Sequence, residues 1–262
     1  MTKIAVLVKD IPDLNEIKID PSTRRPQLDT AKRRINDLDK RALEAAIKIK
    51  EAGGAEVVTV SLGDDRTKTS LLEALAMGAD AAYLVTDAAL KGLDANATSR
   101  VLASAIGKIG GVDIVVAGEL SLDGMGSQVG PRIAQLLAIP QVTYAKEMKL
   151  EAGKYRAVRD LEDVDEVVEA EPPFLITVVR EINEPRIPSL MNIMKAKKKP
   201  MTEWNAEALG LKAEDLKASS WVDVADVQAP EVKRKHVMIK EEKVEDAVAK
   251  LVSALTSEGA LE

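Results

Sequence analysis

Along the first two-thirds of the chain, short unbroken apolar runs alternate with stretches where apolar residues recur every three or four positions. Ile4-Ala5-Val6-Leu7-Val8 is one such run. Residues 56–62, 82–85 and 113–117 are mostly apolar segments of the same kind. An apolar run without polar alternation fits a strand buried on both faces. Between these runs, Leu43, Ala46, Ile47 and Lys50 share a stripe closed by Gly53 and Gly54. Leu71, Leu72, Leu75 and Ala76 form a second stripe, ended by Gly78. Val101, Ala105, Ile106 and Ile109 form a third, ended by Gly110 and Gly111. Ile133, Leu136 and Leu137 form a fourth, which stops before Pro140. Glycine just past the last periodic residue is a common helix stop. Buried strands alternating with helices predict an α/β fold: a mostly parallel twisted sheet, right-handed crossovers and helices on both faces.

The rhythm then changes. Residues 141–150, 155–160 and 164–168 read as short strands, with turns at Glu151-Ala152-Gly153 and Glu162-Asp163. They predict an antiparallel meander at a sheet edge. Residues 174–179 read as one more buried strand, set off by Pro172-Pro173. Asn183-Glu184-Pro185-Arg186-Ile187-Pro188 carries two prolines and fits neither a helix nor a central strand. A basic run follows at 195–199, then Pro200. Residues 1–200 are expected to form the α/β domain. Residues 201–262 are polar and read as an arm, with a terminal helix at 244–255.

Composition narrows the chemistry. The 262 residues include no Cys, one His (His236) and one Phe (Phe174). The lack of Cys excludes disulfides, thiolate nucleophiles and Cys-ligated zinc or iron–sulfur centres. A Ser–His–Asp triad would have to use His236, which stands in the basic stretch Lys233-Arg234-Lys235-His236. No catalytic side chain and no metal site are therefore expected, and any redox chemistry falls to a bound cofactor. The net charge is −6, which argues against nucleic-acid binding. No apolar stretch reaches the length of a membrane span. The start of the chain lacks a signal-peptide pattern, so a cytoplasmic protein is expected.

In an open parallel sheet, ligands bind beyond the carboxyl ends of the strands, at the switch point. After the first strand comes Lys9-Asp10-Ile11-Pro12-Asp13 and a connection of about 25 residues, long enough to suggest a function. It ends at Ile35-Asn36-Asp37-Leu38-Asp39, where Asn and Asp suit helix capping. Ser61-Leu62-Gly63-Asp64-Asp65 follows the second strand. The strongest feature follows the fourth. Gly118, Gly124, Gly126 and Gly130 fall within thirteen residues, just ahead of a helix. Backbone N–H groups at such a turn form an anion site, to which Ser127 and Gln128 add side-chain donors. The pattern fits a nucleotide phosphate or a purely structural loop. It is neither a dinucleotide GxGxxG nor a Walker motif. Ser189-Leu190-Met191-Asn192-Ile193-Met194 sets four large apolar residues between two prolines and the basic run. It fits an adaptable docking surface or a helix packed on its own domain.

Several segments together resemble the beta subunit of an electron-transfer flavoprotein. They are Ala5-Val6-Leu7-Val8-Lys9, Ala74-Leu75-Ala76-Met77-Gly78-Ala79-Asp80, the loop at 123–131, and above all the block running from Asn183-Glu184-Pro185-Arg186 to Lys195-Ala196-Lys197-Lys198-Lys199. The resemblance runs from about residue 3 to 200 and weakens in the tail. It implies a Rossmann-like fold and a heterodimer with an alpha subunit that holds most of the redox FAD. It also implies AMP, or a second FAD in electron-bifurcating members, in the beta subunit.

By that resemblance the nucleotide pocket comprises Leu7, Asn36, Asp37, Leu38, Asp39, Leu62, Asp123, Gly124, Met125, Gly126, Ser127, Gln128, Val129, Gly130, Pro131, Arg132, Ile133 and Ala134. Residues 183–200 resemble a partner-recognition loop in which Leu190 anchors a flavin-dependent dehydrogenase, with Met191, Ile193 and Met194 beside it. Glu166 matches a carboxylate facing the flavin domain of the alpha subunit. The ending Gln128-Val129-Gly130-Pro131 is closer to bifurcating members. The expected role is electron transfer from dehydrogenases, or NADH, to an acceptor such as a quinone oxidoreductase. A nucleotide-sensing or ATP-hydrolysing α/β protein, with Asp10 or Asp123 as base, is the alternative.

Overall fold

The structure is a computed structural model that describes residues 1–151, 154–231 and 234–261. The expected strands and helices form in order, together with short elements that the sequence pattern does not predict. They are β1 (Thr2–Leu7), β2 (Asp10–Pro12), β3 (Arg33–Ile35), α1 (Asp37–Gly53), β4 (Ala55–Leu62), α2 (Thr67–Met77), β5 (Ala81–Val85), α3 (Ala95–Ile109), β6 (Ile114–Gly118) and α4 (Val129–Leu137). Then come β7 (Gln141–Glu151), β8 (Lys154–Asp160), β9 (Asp165–Ala170), β10 (Phe174–Val178), α5 (Leu190–Ala196), β11 (Met201–Trp204), α6 (Ala213–Ala218) and α7 (Val244–Ser257).

One sheet holds nine strands in the order β11-β5-β4-β1-β6-β10-β7-β8-β9. Strands β11 through β7 in that order run parallel. β8 and β9 complete the sheet as an antiparallel edge. Ala152 and Gly153, expected in the turn before β8, lie outside the described residues.

The unbroken apolar character of β1 has a direct cause. Ile4 and Val6 point into a core with Leu43 and Ile47 of α1 and Leu71 and Leu75 of α2. Ala5 and Leu7 point into the opposite core, with Val101 and Ile106 of α3 and Ile133 of α4. Both faces of the strand are covered from Ile4 to Leu7, so these four positions are apolar. From β1 the chain moves to β4 and β5, then crosses back to β6 on the other side of β1. The switch point therefore lies between the carboxyl ends of β1 and β6.

One expectation needs correction. The sheet does not stop at residue 200. β11 pairs with β5 from Met201↔Ala82 to Trp204↔Val85, and Ala206 and Leu216 are buried in the second core. A four-residue edge strand carries too little alternation to stand out. The exposed arm begins instead near Trp221. The backbone N–H of Ala229 donates to the Arg24 carbonyl at 2.8 Å, and Arg25 pairs with Asp226 at 3.1 Å. α7 has no buried residue. The two ends of the long connection after β1 pair as an antiparallel ribbon, β2 with β3.

Candidate functional site

The amino end of α1 is pressed against the ends of β1 and β6. Asn36 sits at the cap position but makes no side-chain cap bond. Its buried amide works across the switch point instead. Nδ2 donates to the Leu120 carbonyl at 2.9 Å, and Oδ1 accepts from the Leu122 N–H at 3.1 Å. Asp39, also buried, ties the two strands together. Its carboxylate accepts from the Lys9 N–H at 2.8 Å and the Gly118 N–H at 3.2 Å. The capping expectation thus identified the right residues and the wrong job: they fasten the loop after β6.

Burial raises the Asp39 carboxyl to about 7, against the pull of its bonds to Lys9 N–H, Asn36 and Gly118 N–H and the Lys9 charge. This shift has a sign. Between 3.8 and about 7 the unfolded chain ionises Asp39 while the folded chain keeps the proton. The contribution is fully present below the lower value and is lost as pH rises through the upper one. Wild type is therefore expected to lose stability relative to Asp39→Asn from pH 5 to pH 8. Urea unfolding of both proteins at several pH values measures this; a pH-independent difference would contradict it.

The glycine-rich loop closes the site. Met125 and Ser127 hold φ of 48° and 49°, a left-handed conformation that non-glycine residues seldom adopt. Gly124 and Gly126 lie outside that range, and a Cβ there would meet only ordinary contacts, Ser121 Oγ at 3.5 Å and the Gly124 carbonyl oxygen at 4.0 Å. These two glycines therefore leave the backbone bare; they do not supply the handedness. Setting every second residue left-handed turns successive N–H groups to one side, the concavity that binds anions. Gly124 and Met125 donate to the Ser121 carbonyl at 3.1 and 2.7 Å. The next five N–H groups, from 126 to 130, have no protein acceptor among the described residues. The last two open α4, where the helix dipole adds positive character. Lys9 stands nearby, its Nζ donating to Asp123 at 2.8 Å and Ser121 at 3.2 Å.

These elements enclose a cavity of about 370 Å³. Of the expected pocket residues, Leu7, Asp39, Leu62, Gly124, Gly126, Ser127, Gln128, Val129 and Gly130 line it. Asn36 and Asp123 support its rim through the bonds above. The others stand elsewhere. Ile133 and Ala134 are in the core beneath α4, and Leu38 is packed against Gly118. Asp37 pairs with Arg34, and Met125 faces solvent. Arg132 reaches Gln128 Oε1 at 3.0 Å and Asn96 Oδ1 at 3.2 Å.

Pro131 lines an adjoining cleft of about 330 Å³, with Thr143, Tyr144 and Arg159. The two spaces share Glu119 and Ser127. The far wall, Leu93 and Asp94 ahead of α3 with Ala95, Thr98 and Leu102 on it, is not among the residues expected from the sequence. The rule that ligands sit beyond strand ends would have found them, since they follow β5.

Glu166 of β9 is bonded to Arg159, which also donates to Thr143. At the other side of the molecule, Leu190, Met191, Ile193 and Met194 are all exposed on α5.

A family model described as "Electron transfer flavoprotein domain" matches residues 28–209. The chain belongs to the electron transfer flavoprotein family, as a beta subunit. It is 42% identical over 256 residues to the Caffeyl-CoA reductase-Etf complex subunit CarD of Acetobacterium woodii, covering 97% of each chain. It is 46% identical over 193 residues to the electron transfer flavoprotein subunit beta of Thermoanaerobacterium thermosaccharolyticum, covering 74% of each. The beta subunit of Clostridium acetobutylicum is 39% identical over 256 residues, 97% of this chain and 98% of that one. Electron transfer flavoprotein beta subunits pair with an alpha subunit, and the pair carries electrons. Among the described residues, no helix is long and apolar enough to cross a membrane.

Proposed function

We propose that this beta subunit holds an adenine nucleotide at the switch point between β1 and β6. One observation carries the reading: five consecutive backbone N–H groups, 126–130, have no acceptor among the described residues. Gly130 is buried, and a buried N–H without a partner is rare unless a ligand or water supplies one. A phosphate group matches that donor set in charge and number of acceptors. Val60, Leu62, Leu93 and Leu102 offer apolar walls for a base. The cavity volume suits a mononucleotide or the adenylate half of a larger one.

We read the nucleotide as FAD. The adjoining cleft gives room for the second half of a dinucleotide. The ending Gln128-Val129-Gly130-Pro131, closer to bifurcating members, favours the same reading. Bound FAD supplies electron acceptance and donation; the chain's own residues bind it, orient it and limit water. Gly126 to Gly130 hold phosphate, Lys9 balances its charge, and Asn36 and Asp39 keep the loop in register. A second FAD here would make the heterodimer electron-bifurcating, with NADH as donor.

The remaining parts have roles in the same scheme. The alpha subunit holds the other FAD. The arm from Trp221 and the exposed Val244, Val248, Leu251 and Val252 of α7 lie against that subunit. Glu166, held by Arg159, faces its flavin domain. Leu190, Met191, Ile193 and Met194 meet a flavin-dependent dehydrogenase, and a quinone oxidoreductase or similar acceptor follows. The assembly works in the cytoplasm.

The hydrolytic alternative finds little support. Both Asp10 oxygens are engaged, by Arg33 Nε at 2.7 Å and Ser70 Oγ at 2.6 Å. Asp123 is paired with Lys9. Co-production with the alpha subunit tests the scheme. A one-to-one heterodimer whose flavin is reduced by a dehydrogenase is expected. ATP hydrolysis by the isolated chain, lost in Asp123→Ala, would overturn it.

A further inference from the structure

The segment from Asn183 to Lys199 divides into residues that face out and residues that hold on. Arg41 and Glu44, both buried on α1, receive its first part. Arg41 Nη1 donates to the Arg180 carbonyl at 2.7 Å and to the Asn183 carbonyl. Its Nη2 donates to both carboxylate oxygens of Glu184 at 3.2 Å. Arg186 makes a larger set. Its backbone N–H and Nε donate to Glu44 Oε2 at 3.1 and 2.8 Å. Nη2 donates to Glu44 Oε1 at 3.0 Å and Glu51 Oε2 at 2.9 Å, and Nη1 to Glu51 Oε1 at 2.6 Å. The guanidinium is thus seated on two carboxylates, one of them 3% exposed.

Only Ile187, Pro188 and Ser189 separate this seat from α5. Ser189 caps α5 by accepting from the Asn192 N–H at 3.2 Å. At the far end Ala196 is buried, and Lys199 Nζ donates to the Leu75 carbonyl at 2.9 Å and the Ala79 carbonyl at 2.5 Å. A seven-residue helix has little stability of its own. Its place is set by what holds its ends.

We propose that Arg186, seated on buried Glu44, is the positioning residue that fixes the direction in which α5 presents its apolar face. The inference rests on the reading of α5 as the dehydrogenase-docking element. A planar guanidinium bonded to two carboxylates fixes direction as well as distance, which a flexible ammonium does not. An anchor side chain binds well only when its own backbone is pre-placed.

The test uses the intact heterodimer, with a flavin dehydrogenase reduced by its own substrate as donor. Dithionite serves as a donor that needs no docking. Arg186→Lys is expected to raise KM for the reduced dehydrogenase about tenfold, with kcat unchanged. Flavin content and reduction by dithionite stay as in wild type. Glu51→Gln keeps the buried pair and guards against a folding failure; it raises KM about threefold. If both variants keep wild-type KM while Leu190→Ala raises it, docking stands and the positioning role of Arg186 is overturned. If Leu190→Ala also keeps wild-type KM, the docking reading falls and takes the positioning role with it.

Discussion

Gly118→Ala is expected to destabilise the chain by about 2–3 kcal/mol and to empty the nucleotide pocket. A Cβ at residue 118 would lie 2.6 Å from Asp39 Oδ1, 2.7 Å from Leu38 Cβ and 2.9 Å from the Leu38 carbonyl carbon. All three atoms belong to the packed amino end of α1, and the two of Leu38 have no room to yield. Relief requires α1 to back away from β6. That motion breaks the Asp39 bond to the Gly118 N–H and shifts Asn36, which holds Leu120 and Leu122. The cradle at 126–130 then loses its footing. Urea midpoints and nucleotide content of the purified heterodimer measure the two effects. An unchanged midpoint with full nucleotide would contradict the geometry.

The second large effect lies at the other end of the same unit. Leu190→Ala is expected to slow electron transfer from the partner dehydrogenase about thirtyfold, from a loss of about 2 kcal/mol of binding. Leu190 is 76% exposed, so its removal takes nothing from the core. Thermal midpoint, heterodimer assembly and flavin content should match wild type. Transfer at subsaturating heterodimer reports the change, and equal rates would remove Leu190 from the docking surface.

How far the sequence carried this account follows from the kind of interaction involved. Strands buried on both faces write mostly apolar runs, so β1, β4, β5 and β6 were legible, and α1, α2 and α3 ended at the glycines expected. β11 was not. An edge strand is held by backbone pairing on one side, and Met201-Thr202-Glu203-Trp204 shows no period.

At the site, the glycine-rich loop was visible as composition. Which of its residues are left-handed was not, because Met125 and Ser127 take that conformation under tertiary constraint. Asn36 and Asp39 read as caps because capping is the local use of those side chains; their actual partners are distant in sequence, at Lys9, Gly118, Leu120 and Leu122. The wall from α3 belongs to a helix whose sequence is ordinary, and only the sheet order brings Asp94 and Thr98 to the cavity. Glu44 gave no signal at all. It lies on the stripe side of α1, and only the folded segment at Arg186 gives its charge a reason.

The central claim is that this chain itself holds an adenine nucleotide, and that the nucleotide is FAD. Denaturing the purified heterodimer and identifying each released nucleotide by chromatography and mass tests it most directly. Two FAD per heterodimer is the predicted result. One FAD with one AMP would keep the cradle and contradict FAD as its occupant. One FAD and no other nucleotide would contradict the claim.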